Sequence, residues 1–103
     1  MRVELHPDAH AELRAAAIWY DEQRSGLGDE LIDEVSLALT RIAATAASFP
    51  VWPGTSTATV SIRRALISRF PHGIALEVHS AHILVLAIPH SKRRPLYWLA
   101  RAF

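Results

Sequence analysis

The 103-residue sequence contains no cysteine. Disulfides and thiolate chemistry are therefore excluded, and a reducing compartment suits the chain. Lysine occurs once, at Lys92, so the basic side chains are almost all arginine. Acid is nearly missing from the second half, where Glu77 stands alone. Long apolar runs are missing as well: the longest, Ile83 to Pro89, is far too short to cross a bilayer. The opening MRVELHPD has no apolar core of the kind a secretory signal needs, which makes the cytoplasm the expected location. There is no internal repeat, glycine-rich phosphate loop, nucleophile elbow or HExxH motif. His6 and His10 have the i, i+4 spacing of some metal pairs, but Pro7 between them argues against a shared helical face. No metal and no cofactor are expected.

What is present is a chain that is 50% hydrophobic, enough for one domain spanning residues 1–103. Its charge is unevenly spread. Residues 1–40 carry nine acids and three arginines, a formal −6; residues 41–103 carry one acid and eight bases, a formal +7. A basic second half points to an anionic partner, whereas the structural alternative is a bipolar surface whose halves attract each other.

Val3 and Leu5 alternate with Arg2 and Glu4, which predicts a short strand. Pro7 at a first helical position, followed by Ala9, Leu13, Ala16, Ala17 and Tyr20 at helical spacing, predicts a helix from about Pro7 to Gln23. Gly26 and Gly28 break it. A second helix is expected from about Asp29, with the stripe Leu31, Val35, Ala38, Leu39, Ile42 and Ala46. The short link makes an antiparallel helical hairpin. Beyond Pro53 and Gly54 the period changes to two. Val60, Ile62, Leu66 and Phe70 alternate, FPHG at 70–73 turns, Ile74, Leu76 and Val78 alternate, HSAH at 79–82 turns, and Ile83–Ile88 is apolar throughout. These features predict an α+β fold: an N-terminal strand, the hairpin on one face of a curved, mostly antiparallel sheet of three to four strands, and a short C-terminal helix from about Leu96.

The chemistry-bearing residues cluster in the second half. If the helices cover the Ile62 and Leu66 face, period two turns Arg63 and Arg69 outward. Arg64 then falls on the core side, so it must reach round an edge, sit on a bulge, or signal a different register. The last strand runs into AIPHSKRRPLYWLAR, which supplies His90, Lys92, Arg93, Arg94 and Tyr97. Guanidinium forks bind phosphate and carboxylate, so these groups together predict an anion receptor. Metal-free RNA cleavage would draw its proton carriers from His90 and Tyr97 and its cations from Arg63, Arg64 and Arg94. His72, His79 and His82 are expected to be solvated turn residues. Tyr20, Trp52 and Trp98 are expected to pack.

Three segments carry a resemblance: WY-x(3)-R-x-GLG from Trp19, R-x(5)-FPHGI from Arg64, and H-x(2)-R-x-P-x-YW from His90. In this order, over nearly the whole chain, they resemble the RelE/ParE superfamily of type II toxin–antitoxin toxins, specifically the ParE-like plasmid-stabilisation branch. The resemblance implies a cognate antitoxin whose C-terminal segment wraps the toxin, which suits the high apolar fraction and the basic second half. It also implies one of two targets. ParE-like members poison DNA gyrase without established catalytic residues, and RelE-like members cut mRNA on the ribosome. On the nuclease pattern Arg64, His90, Arg94 and Tyr97 would be catalytic; on either, Arg63, Arg69, Lys92 and Arg93 would bind the target. The lysine-rich helix of the nucleases is missing and the second helix opens acidic, so a gyrase inhibitor that acts by binding is the expected activity. A ribosome-dependent endoribonuclease and a non-toxic interaction module are the alternatives.

Overall fold

The computed structural model describes residues 1–55 and 60–102. Strand β1 (Arg2–Leu5) leads into helix α1 (Pro7–Gln23) and helix α2 (Leu27–Thr45). A single 3₁₀ turn, Ala46–Ser48, follows, and then β2 (Ser61–Leu66), β3 (Gly73–Val78) and β4 (His82–Ala87). A second 3₁₀ turn, Leu99–Arg101, stands where the short C-terminal helix is expected. The sheet order is β1-β4-β3-β2; β2, β3 and β4 form an antiparallel meander and β1 joins β4 in parallel, Val3 opposite Ile83. The α+β architecture read from the sequence is the one found. No helix among the described residues is long and apolar enough to cross a membrane.

Local chemistry explains the hairpin. Pro7 occupies the start of α1, where its missing N–H costs nothing, and the His6 ring accepts the Asp8 amide. Gly26 takes φ 88° at the turn, a conformation that glycine tolerates without strain. Gly26 has no side chain to cap α2, so Asp21 does it from α1: its Oδ1 accepts the Gly28 amide at 2.8 Å. This cap starts α2 at Leu27, two residues before the acidic run suggested.

Leu31, Val35, Ala38 and Ile42 of α2 bury their stripe against Ile74, Leu76, Ile83 and Val85 on one sheet face. The other face carries a smaller cluster, Ile62, Ala75, Leu86 and Ala87, roofed by Trp98. A register shift between Ala75 and Leu76 lets both Leu86 and Ala87 join it. The continuous apolar run of β4 is thus covered on both sides.

One expectation is reversed. Ile62 and Leu66 do not face the helices; Ala65 does, while Ile62 packs under Trp98 and Leu66 is 64% exposed. Alternation groups residues by face but does not say which face the helices take, and Trp98 supplies a second apolar cover. The reversal removes the puzzle of Arg64, which belongs to the face away from the helices.

Candidate functional site

On that face a cleft of about 460 Å³ opens between the start of β3, the middle of β2 and the chain after β4. Residues 89–91 run back alongside 71–73: Gly73 N donates to Pro89 O at 3.0 Å and Ser91 N to Pro71 O at 2.8 Å. This pairing puts the His90 ring edge-on to His72, with centroids 5.1 Å apart. A turn follows in which Arg93 N donates to His90 O and Lys92 N to His90 Nδ1, both at 3.0 Å. The chain then reverses through Leu96 at φ 60° and drops Trp98 into the sheet. Arg64, His90, Arg93 and Arg94 line the cleft above an apolar floor that includes Phe70 and Leu96. Trp52 meets Trp98 edge to face at 5.0 Å, and the Arg64 guanidinium lies 5.9 Å from the Trp52 ring centre.

The cleft brings together four of the residues singled out in the sequence, and four stand elsewhere. Arg63 lies on the helix side of β2 and is used internally, donating to Phe49 O at 2.9 Å and to Ser61 Oγ at 3.0 Å. Arg69, at φ 71°, reaches α2 and pairs with Glu30, which Arg24 also holds at 2.8 Å. Bonds from Arg69 and Arg24 pull the Glu30 carboxyl below its usual range. The convergence of Arg63 and Arg69 with the tail arginines is therefore not what the fold does. Lys92 is exposed and outside the cleft lining.

Tyr97 also turns away. Its hydroxyl donates to Glu12 Oε2 at 3.0 Å, and the Arg93 guanidinium covers its ring at 4.1 Å. Burial and the adjacent carboxylate push its pKa up to about 12. A phenol held this way is a poor proton carrier at neutral pH.

The histidines divide similarly. His72 is buried rather than solvated. Its Nδ1 faces the Ile88 carbonyl and so carries the proton; its Nε2 accepts the Tyr20 hydroxyl, both at 3.2 Å. Burial pushes its pKa down, and the neutral ring has both nitrogens satisfied. The His90 Nδ1 accepts the Lys92 amide, so a neutral ring keeps its proton on Nε2 and presents a donor, not a base.

Sequence reasoning missed three contributors. Trp52 shapes the cleft, where only packing was expected. His72 stiffens its floor through Tyr20, a partner 52 positions away. Glu12, on α1, binds the chain that forms the cleft wall, and nothing in helical spacing distinguishes it from the other acids of that helix.

The arginines of the cleft differ from Arg69 in what they touch. Arg64, Arg93 and Arg94 form no ion pair with any carboxylate among the described residues. The site can therefore receive an anion or an acidic group above an apolar floor, using forked donors.

No family model matches the chain, and no curated protein matches it in sequence. Its fold is similar to that of a chain in a solved structure described as the chromosomal ParDE TA system from P. aeruginosa. The two superpose with a TM-score of 0.74 at 16% identity, over 87% of this chain and 95% of that one. At this identity the likeness shows the fold.

Proposed function

We propose that the chain is the toxin member of a toxin–antitoxin module of the ParE type, acting in the cytoplasm and arresting growth by binding DNA gyrase through the cationic cleft. The fold shared with a chain of a ParDE system supports the module. The observation that supports the binding mechanism is that, among the described residues, three guanidiniums without a carboxylate partner stand together with no poised base. His72 is satisfied and neutral, the His90 Nδ1 is occupied, and Tyr97 is held by Glu12. An antitoxin segment that is acidic and amphipathic would complement the cleft and the exposed side chains Ile18, Trp19 and Leu37.

The test uses purified protein free of any antitoxin, assayed in parallel on gyrase with plasmid DNA and on ribosomes with bound mRNA. Accumulation of gyrase–DNA cleavage complexes with intact mRNA is expected. Cleaved mRNA with gyrase unaffected would reject the proposal.

The nuclease alternative keeps one specific support: His90, whose neutral ring presents an Nε2–H hydrogen-bond donor, shares the cleft with Arg64, Arg93 and Arg94. It requires that His90→Ala and Arg64→Ala relieve growth arrest while the protein stays folded. Expression of folded protein with no effect on growth would favour the non-toxic interaction module.

A further inference from the structure

One wall of the cleft lies outside the strands and the two long helices. Arg93, Arg94, Leu96 and Trp98 all belong to the chain after β4, where the bridge of His90 to His72 is followed by no regular structure but one 3₁₀ turn. Beyond that bridge and the burial of Trp98, the segment depends on side-chain bonds for its position.

One side chain gathers its attachments. Glu12 lies on α1, across the β4 end from the cleft. Its Oε1 accepts the Ile88 amide at 3.2 Å, fixing the point where the chain leaves β4. Its Oε2 accepts the Tyr97 hydroxyl at 3.0 Å and Arg101 Nη2 at 2.8 Å, fixing the far end. Arg101 adds a bond to Leu86 O at 2.9 Å and a contact to Asp8 at 3.6 Å. Tyr97 in turn carries Arg93 on its ring face at 4.1 Å. The carboxylate is mostly sheltered, with 18% of its side chain exposed, so its bonds are little weakened by water. Both oxygens are used, and the three donors come from two ends of the same loop.

We propose that Glu12 is the positioning residue of the cleft: it clasps residues 88–101 and thereby sets where Arg93 and Arg94 stand. It touches no ligand itself. The inference rests on the reading of the cleft as the working surface only for its functional consequence; the clasp is measurable without any target. It also gives that surface a means of control. A partner that captured Arg101 or Tyr97 would loosen the wall and dissolve the cation cluster without entering the cleft.

The experiment compares wild type with Glu12→Gln, which keeps the size of the side chain and one acceptor oxygen but removes the charge. Two measurements on free protein read the clasp. The indole N–H resonances report Trp98 and Trp52, packed edge to face at 5.0 Å, with Trp19 on the outer part of α1 as internal control. Amide hydrogen exchange reports residues 91–102 against α2. The expected result is a shift of the Trp98 and Trp52 resonances and a roughly tenfold rise in exchange over 91–102. Trp19 and α2 should not change. Unchanged Trp98 and tail exchange would overturn the proposal, as would equal loosening of the whole chain, which would make Glu12 a general stability residue. Should Glu12→Gln fail to fold, Tyr97→Phe decides, because it removes one bond and leaves the Glu12–Arg101 pair. A roughly two- to threefold rise confined to the tail supports the clasp, and none refutes it.

Gyrase cleavage assays on the same samples separate the two readings. A loosened tail in Glu12→Gln, with a wild type inactive on gyrase, keeps the clasp and rejects the function. An active wild type whose Glu12→Gln tail is unchanged does the reverse.

Discussion

Replacing Gly28 with alanine sets two opposing effects against each other. Alanine is favoured over glycine inside a helix by up to about 1 kcal/mol, so α2 considered alone would gain. The hairpin would lose more. A β-carbon at position 28 would overlap the Ala17 carbonyl oxygen of α1 and come within 2.9 Å of the Asp21 side chain. Ala17 O is backbone in the middle of a helix and cannot swing aside, so the helices must separate. Overpacking of this kind costs about 1–3 kcal/mol. Displacing Asp21 also breaks its 2.8 Å bond to the Gly28 amide, the cap of α2, for about 1 kcal/mol more. The balance is a net loss of about 1–3 kcal/mol, or a fall in Tm of roughly 5–15 °C for a domain of this size. Differential scanning calorimetry and urea unfolding check it. Asp21→Ala is the control: it removes the cap but not the Ala17 overlap, so Gly28→Ala in that background should still destabilise. A Tm equal to or above wild type for Gly28→Ala would refute the reasoning, because α1 and α2 could not then approach as closely as described.

The arginines give a second prediction: Arg64→Ala, Arg93→Ala and Arg94→Ala should each weaken target binding by roughly ten- to a hundredfold at low salt. Arg63→Ala and Arg69→Ala should leave it nearly unchanged, as titrations with gyrase or its fragments would record. The third concerns acid. His72 has a depressed pKa in the fold, so between that value and the free-chain value near 6.5 the unfolded chain binds a proton that the native chain refuses. Stability therefore falls as pH drops through this window, by at most about 1.4 kcal/mol per pH unit, and urea midpoints from neutral pH downward should lose that slope in His72→Asn. The fourth concerns base. Tyr97 keeps its proton to about pH 12, whereas a free tyrosine loses it near pH 10, so stability should fall as pH rises across that interval. Ultraviolet titration should show both phenols late, since burial raises Tyr20 as well, and Tyr97→Phe should remove one step and leave that of Tyr20.

Local period was enough to read the elements: both helices, the three meander strands and their turns fall where apolar spacing and Gly–Pro punctuation put them. It was not enough to read the faces. Ile62, Arg64 and Leu66 share one side of β2 by alternation alone, but whether that side meets helices or tail depends on Trp98, 36 positions beyond Ile62 and tied to it only by packing. His72 shows the same limit. Its sequence neighbours say turn, while its burial comes from Tyr20 on α1 and the Ile88 carbonyl. Arg69 shows it most sharply, since a left-handed backbone at φ 71° directs its chain to α2, and no pattern in SRF announces that.

The uneven charge of the two halves resolves into two uses. Part of it is internal, as a bipolar surface would have it: Glu30 of the acidic half holds Arg69 of the basic half, and Glu12 and Asp8 hold Arg101. These pairs fasten α2 to the β2–β3 turn and α1 to the C-terminal chain. Of the basic side chains left without an ion pair among the described residues, Arg64, Arg93 and Arg94 stand together in the cleft. The helices therefore do two things with their acids. Glu30 neutralises Arg69, and Glu12 holds in place the chain that carries Arg93 and Arg94. A receptor for an acidic partner needs cations that the fold itself does not satisfy. This chain keeps three of them together in the cleft, while Glu30, Glu12 and Asp8 take up Arg69 and Arg101.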